Sequence, residues 1–176
     1  MTIDNPRNAQ TIAKVIETHG ILVRGTWFEI DGYKYYFRPS GNVAHGWATI
    51  TDNGVDKKYY FDDDYHMVTG WQDIANSEGK DIRYYFRPSG SMATGWATID
   101  GQKYWFRASG SMAKGFNTVD DGYKRYFDHN GHMLVGWQQI DGKTFYFRSP
   151  SGAMQTGKAT IDGKTYEFTA SGTLKS

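Results

Sequence analysis

Acid–base or metal chemistry would first be sought at Asp62-Asp63-Asp64 and at the five histidines, His19, His45, His66, His129 and His132. Hydrolysis of a glycosidic bond needs two carboxyl groups on opposite sides of one bond. Consecutive acids in a turn splay apart and stay solvated, so this triplet does not supply such a pair. Three acids on a loop offer hard oxygen ligands, but the spacing of a calcium-binding EF-hand does not accompany them. Asp128, His129 and His132 are close in sequence, yet neither a His-Glu-x-x-His helix nor a cysteine-based zinc pattern is present. His66 and His132 precede Met67 and Met133 in a variable place and read as exposed turn residues. A Gly-x-Ser-x-Gly elbow and a phosphate-binding glycine loop are also missing. The chain has no cysteine, which removes disulfide and thiol chemistry. No catalytic residue, no metal and no cofactor are therefore expected.

The remaining chemistry is that of aromatic rings. Aromatic residues are 16% of the 176, while apolar residues as a whole reach only 39%, so the rings must do much of the packing. They recur in order. Gly95-Trp96-Ala97-Thr98-Ile99-Asp100-Gly101, then Tyr104-Trp105-Phe106, then Ser109-Gly110-Ser111-Met112 is the clearest copy of a phrase that returns along the chain. Its opening position holds Trp27, Trp47, Trp71, Trp96, Phe116, Trp137 and Lys158. The period is roughly 20 to 25 residues, the range of stacked repeats. A unit this short cannot enclose a core alone and must stack on copies of itself, which leaves similar grooves at regular intervals.

Each copy reads as a β-hairpin. Asp-Gly or a relative stands at Asp31-Gly32, Asn53-Gly54, Asp100-Gly101, Asp121-Gly122, Asp141-Gly142 and Asp162-Gly163, and this pair accepts the positive φ of a tight hairpin turn. A second signal, Ser-Gly or Asn-Gly, links one hairpin to the next at Ser40-Gly41, Ser89-Gly90, Ser109-Gly110, Asn130-Gly131, Ser151-Gly152 and Ser171-Gly172. Asp62 to Tyr65 lacks that glycine and is expected to turn differently.

Strand alternation sorts the side chains by face. Phe37, Phe61, Phe86, Phe106, Phe127, Phe147 and Phe168 close every aromatic strand, and their face is the expected interior. The opposite face carries Tyr36, Tyr60, Tyr85, Trp105, Tyr126, Tyr146 and Glu167, preceded by Lys34, Lys58, Arg83, Lys103, Lys124, Thr144 and Thr165. This cationic and aromatic face is the candidate ligand surface. Met67, Met92, Met112, Met133 and Met154 are expected in the groove floor or core, beside the Trp that opens the next repeat.

A net charge of +1 with both signs interspersed indicates neither a nucleic-acid stripe nor a polybasic membrane patch, and no window approaches the ~18 apolar residues of a membrane span. Residues 8–19 have helical spacing and predict a short N-terminal cap or linker over 1–19, followed by the repeat array over 20–176. Met1 to Thr11 lacks the basic start and apolar run of a signal peptide. Gly20 to Gly25 looks like the tail of an earlier repeat, which predicts a piece of a larger, secreted protein.

At Gly70-Trp71, Tyr84-Tyr85-Phe86 and Gly90-Ser91-Met92-Ala93-Thr94-Gly95-Trp96 the sequence resembles the cell-wall-binding repeat superfamily. That group includes choline-binding modules of Gram-positive bacteria, the glucan-binding repeats of glucansucrases and the receptor-binding repeats of clostridial toxins. The resemblance implies an all-β fold: a solenoid of hairpins, about three per superhelical turn, with pockets between successive hairpins. Choline-binding repeats usually place a Trp directly before Tyr-Tyr, and it helps to cage the trimethylammonium group through cation–π attraction. Here that place holds Lys, Arg or Thr, as in the glucan-binding and toxin branches.

The expected function is that of a noncatalytic carbohydrate-binding module, extracellular or cell-wall associated, whose partner is a polysaccharide or cell-surface glycan. Trp47, Trp71, Trp96 and Trp137, with Tyr36, Tyr60, Tyr85, Trp105 and Tyr126, would form the stacking platforms. Lys58, Arg83, Lys103 and Lys124 would donate hydrogen bonds to sugar hydroxyls. A choline- or teichoic-acid-binding anchor is the alternative, and a structural spacer without ligand is a second. Lys158 and Glu167, in place of Trp and Tyr, mark the last units as an end cap.

Overall fold

The computed structural model describes residues 24–175. The expected helix over 8–19 and the whole cap or linker over 1–19 lie outside the described residues. Seven antiparallel hairpins follow one another, each a separate two-stranded sheet. They fall into two compact units, the first ending at Ala93 and the second beginning at Thr94. In the first unit β1 (Thr26–Ile30) pairs with β2 (Tyr33–Phe37), β3 (Gly46–Asp52) with β4 (Val55–Phe61), and β5 (Gly70–Ala75) with β6 (Asp81–Phe86). In the second, β7 (Gly95–Ile99) pairs with β8 (Gln102–Phe106), β9 (Gly115–Thr118) with β10 (Lys124–Phe127), β11 (Gly136–Ile140) with β12 (Lys143–Phe147), and β13 (Gly157–Ile161) with β14 (Lys164–Phe168). The described residues are thus all-β, and no helix among them is long and apolar enough to cross a membrane.

Turn chemistry sets the register. Asp100 and Gly101 have φ of 50° and 79°, and Ile99 pairs directly with Gln102, so the loop is the two-residue turn that matches strand twist. Asp121-Gly122 departs from this expectation. Only Gly122 has positive φ, and Thr118 pairs with Lys124 across a five-residue loop. The cause is spacing: the chain from Gly115 to Phe127 is one residue longer than that from Gly95 to Phe106, so this register cannot close on a two-residue turn. Within the longer loop the Asp121 carboxylate accepts from the Tyr123 amide and from Arg125.

The closing Phe of each hairpin is buried, as alternation predicts: Phe37, Phe61, Phe86, Phe106, Phe127, Phe147 and Phe168. Each also bridges a residue six or seven positions later, as in Phe86↔Met92 and Phe147↔Met154, which folds the linker back on its own hairpin. The Arg after the Phe then clasps that linker, with Arg87 Nη1 2.7 Å from the Met92 carbonyl and Arg107 Nη1 3.1 Å from that of Met112.

The linker glycines carry two constraints. Gly131 has φ of 87°, and a Cβ there would stand 2.5 Å from Met112 Sδ. The sulfur of one repeat's Met thus rests on the turn of the following repeat, and the same holds for Met67 on Gly90 and Met133 on Gly152. Asp62 to Tyr65 was expected to turn differently but does not. Tyr65 takes φ of 67° in the glycine's place and donates to the Asp62 carbonyl at 2.9 Å, just as Gly90 donates to Arg87. The Asp62 side chain steadies this turn by accepting from the Asp64 and His66 amides.

Hairpins within a unit are joined by one recurring main-chain bond. The Met after a hairpin donates to the carbonyl of the residue before Tyr-Tyr-Phe in the preceding hairpin. The pairs are Met67 to Lys34 and Met92 to Lys58 in the first unit, and Met133 to Lys103 and Met154 to Lys124 in the second, all at 2.8 to 2.9 Å. Leu174 repeats the bond to Thr144 at 2.8 Å.

A candidate ligand cleft shared by two hairpins

The opening Trp is held edge-on by two aromatic neighbours. Trp27 lies opposite Tyr36 in the β1–β2 register, with ring centroids 5.1 Å apart, and meets Tyr59 of the next hairpin at 5.0 Å. Trp47 repeats this with Tyr60 at 5.2 Å and Tyr84 at 5.0 Å. In the second unit Phe116 meets Tyr126 and Phe145, and Trp137 meets Tyr146 and Tyr166. Although so well packed, Trp27, Trp47, Trp96 and Trp137 stay 36 to 41% exposed. An indole fixed at its edges and open on one face is a stacking platform.

Three of these platforms head clefts of similar size. At Trp27 the cleft is about 350 Å³, with Lys34 from the same hairpin and Tyr59 and Met67 from the next. At Trp96 it is about 340 Å³, with Lys103, Arg125 and Met133 in the same places. At Trp137 it is about 330 Å³, with Thr144, Tyr166 and Leu174. The side chain before Tyr-Tyr-Phe therefore forms one wall of the cleft. The Met belongs to the cleft of the preceding hairpin's Trp, whereas the sequence pointed to the following one.

Among the residues singled out from the sequence, Trp96, Lys103 and Trp137 line these clefts. Trp47 keeps the two-ring setting described above; Trp71 meets Tyr85 of its own hairpin at 5.0 Å and has Arg83 5.2 Å from its centroid, with Arg83 3.6 Å from Asp73. Lys58 gives its carbonyl to Met92, and Lys124 Nζ lies 5.5 Å from the Phe116 centroid. Tyr36, Tyr60, Tyr85, Trp105 and Tyr126 do not line the three clefts. They pair across the hairpin with its opening aromatic and are half-buried or buried. Tyr59, Tyr166 and Arg125 line clefts without having been singled out as site residues. Alternation puts them on the Phe face, and only hairpin stacking turns their edges toward a neighbour's Trp. Burial pushes the Tyr59 phenol up, so it remains a neutral ring.

His66 and His132 are structural in this setting. His66 is half-buried, not exposed as the turn position suggests: it stacks on Tyr33 at 3.9 Å with Asp62 3.5 Å from Nδ1. His132 likewise meets Tyr104 and Asp128. No group of three potential metal ligands occurs among the described residues.

Like hairpins in series, each cleft taking its Trp from one and its facing side chain from the next, define a repeat-built binding module. A family model for choline-binding repeats matches residues 93–136 and 134–176, and one for a putative cell wall binding repeat matches 25–43. The chain belongs to the cell-wall-binding, choline-binding-like repeat superfamily. It is similar to choline binding protein F from Streptococcus pneumoniae, at 33% identity and a TM-score of 0.76 over 85% of this chain and 51% of that one. The same protein in the presence of a peptidoglycan analogue, a tetrasaccharide-pentapeptide, matches at 32% identity and a TM-score of 0.74, over 85% and 51%. CbpJ from Streptococcus pneumoniae matches at 25% identity and a TM-score of 0.51, over 85% of this chain and 80% of that one. The chain thus spans about half the length of choline binding protein F. No curated protein sequence matches it.

Proposed function

We propose that the chain is a noncatalytic carbohydrate-binding module, a hairpin solenoid over 20–176 that attaches a larger secreted protein to a cell-wall or other surface glycan. One observation carries this reading: Lys34 and Lys103 form the cleft wall beside Trp27 and Trp96. An aromatic wall there would complete a cage for an organic cation, whereas an ammonium repels one. A sugar uses the same surface differently. Its C–H face stacks on the indole while its hydroxyls accept from Lys. Trp47 and Trp71, with Lys58, Arg83 and Lys124, extend the same plan along the array, and Tyr36, Tyr60, Tyr85, Trp105 and Tyr126 back the platforms. Shallow clefts of this kind bind weakly one by one, and several on one polymer act together.

Choline or teichoic-acid binding is the second reading, and the cleft at Trp137 favours it locally. There Thr144 replaces Lys, and Trp137 and Tyr166 stand 4.8 Å apart with no charged residue in the lining. Affinity electrophoresis in gels containing dextran and other polysaccharides, beside calorimetric titration with choline, separates the two. Retardation by a glycan, abolished in Trp96→Ala with Trp137→Ala, supports the first reading. Saturable choline binding without retardation by any glycan replaces it with the second. If neither ligand binds and the substitutions alter only stability, the repeats are a spacer.

A further inference from the structure

The clefts at Trp27, Trp96 and Trp137 share one plan and differ in charge. At Trp27 two acids, Glu29 and Asp52, balance Lys34 and Lys57, and Lys57 pairs with Asp52 at 2.9 Å. At Trp137 the polar lining is Gln138, Gln139 and Thr144, with no charge. At Trp96 the charged lining residues are two cations, Lys103 and Arg125, with no carboxylate.

Arg125 stands where the neighbouring repeats have a ring. Its guanidinium lies 5.1 Å from the Trp96 centroid, the place held by Tyr59 against Trp27 at 5.0 Å and by Tyr166 against Trp137 at 4.8 Å. It cannot swing away. The side chain is 6% exposed, Nε donates to the Ser151 carbonyl at 2.7 Å, and Nη1 and Nη2 hold Asp121 at 2.7 and 2.6 Å. A fixed cation thus already sits against Trp96. Its fork is taken, so it does not recognise a ligand itself. Lys103 is different: it is exposed, lines the cleft and enters no ion pair among the described residues.

We propose that the Trp96 cleft is the subsite for a carboxylate-bearing sugar, with Arg125 denying the indole to cations and Lys103 receiving the carboxylate. The proposal rests on the glycan-binding reading and assigns the ligand class of one cleft within it. A charge-assisted bond from an ammonium to a carboxylate is stronger than one to a neutral hydroxyl. Here no acid lines the cleft beside that ammonium, whereas Asp52 and Glu29 line the cleft at Trp27, where Asp52 pairs with Lys57. The uncharged cleft at Trp137 has no reason to prefer an acidic sugar.

The test follows the indole N–H resonances of Trp96 and Trp137, assigned by single Trp→Phe changes, during titration with trigalacturonate, maltotriose and choline chloride. In the wild type the Trp96 signal responds to trigalacturonate at roughly tenfold lower concentration than to maltotriose at low salt, and the gap narrows at about 0.5 M salt. Lys103→Gln brings the two sugars to parity at Trp96, and Lys103→Arg keeps the gap. Choline leaves the Trp96 signal in place, and Trp137 does not distinguish the two sugars. The proposal is overturned by equal response at Trp96, by a preference that survives Lys103→Gln, or by a choline response at Trp96. If neither sugar moves any indole signal, the glycan reading itself fails, a result distinct from sugars that bind at Trp27 and Trp137 with no acidic preference at Trp96.

Discussion

The amide of Met133 is bonded to the carbonyl of Lys103 at 2.9 Å, across two successive hairpins. The residue whose side chain walls a cleft is thereby fixed, through its backbone, by the linker that supplies the cleft's Met. Geometry of the wall is thus independent of the identity of the wall. Lys34, Lys58, Lys103, Lys124 and Thr144 all accept this bond, so the side chain there can change ligand preference without changing how hairpins join.

The two kinds of turn glycine should respond differently to alanine. Gly101 and Gly131 both have positive φ, but nothing lies within 4 Å of a Cβ at Gly101, while Met112 Sδ lies 2.5 Å from one at Gly131. Gly101→Ala should cost about 1 kcal/mol from the left-handed backbone alone. Gly131→Ala should cost about 2 to 3 kcal/mol, because overpacking adds to the same strain. Urea denaturation gives both values. Met112→Ala introduced with Gly131→Ala should show a favourable coupling, and strict additivity of the two would refute the steric account.

Core and platform aromatics should separate stability from binding. Phe147 is fully buried, and Phe147→Ala should destabilise its unit by about 3 to 5 kcal/mol. Trp137 is 38% exposed, so Trp137→Ala should cost less while removing its cleft's affinity for ligand. Thermal melts beside glycan retardation show the split. An equal loss of stability in both variants would make Trp137 a core residue.

Acid should release the Asp121–Arg125 pair. The hydrogen bonds from Arg125, and then the Tyr123 amide, hold the Asp121 carboxyl down to about 2, from an ordinary value of 3.8. A carboxylate lowered on folding adds stability that is complete above its unfolded value and is lost as pH falls through its folded value. Asp121→Asn should therefore lower Tm at neutral pH. The difference from wild type should shrink below about pH 4 and close near pH 2. Melting curves followed by circular dichroism at stepped pH measure this, and a constant difference down to pH 2 would contradict it.

The hairpins were legible in the sequence because their determinants are local. Asp-Gly fixes a two-residue turn, and alternation from that turn places Phe106 or Phe147 inside. Where the spacing between the opening Gly and the closing Phe slips by one residue, the dipeptide alone misleads. Asp121-Gly122 looks like its counterparts, but one more residue separates Gly115 from Phe127 than Gly95 from Phe106, and the loop lengthens to five residues. Tyr65 shows the converse: the linker turn persists without glycine because Asp62 and the hairpin-to-hairpin bond from Met67 impose it. The cleft was only half legible. Trp96 and Lys103 share one hairpin and one face, so periodicity finds them. Arg125 reaches Trp96 from the next hairpin, a contact that periodicity within one strand does not encode.

Because each cleft takes its Trp from one repeat and its Tyr, Arg or Met from the next, no cleft is inherited with a single repeat. Copying or deleting one repeat rebuilds the cleft at the junction from parts that did not meet before. An array of this kind can change what it holds by recombination at its joints, without a single substitution in the surface that touches the ligand.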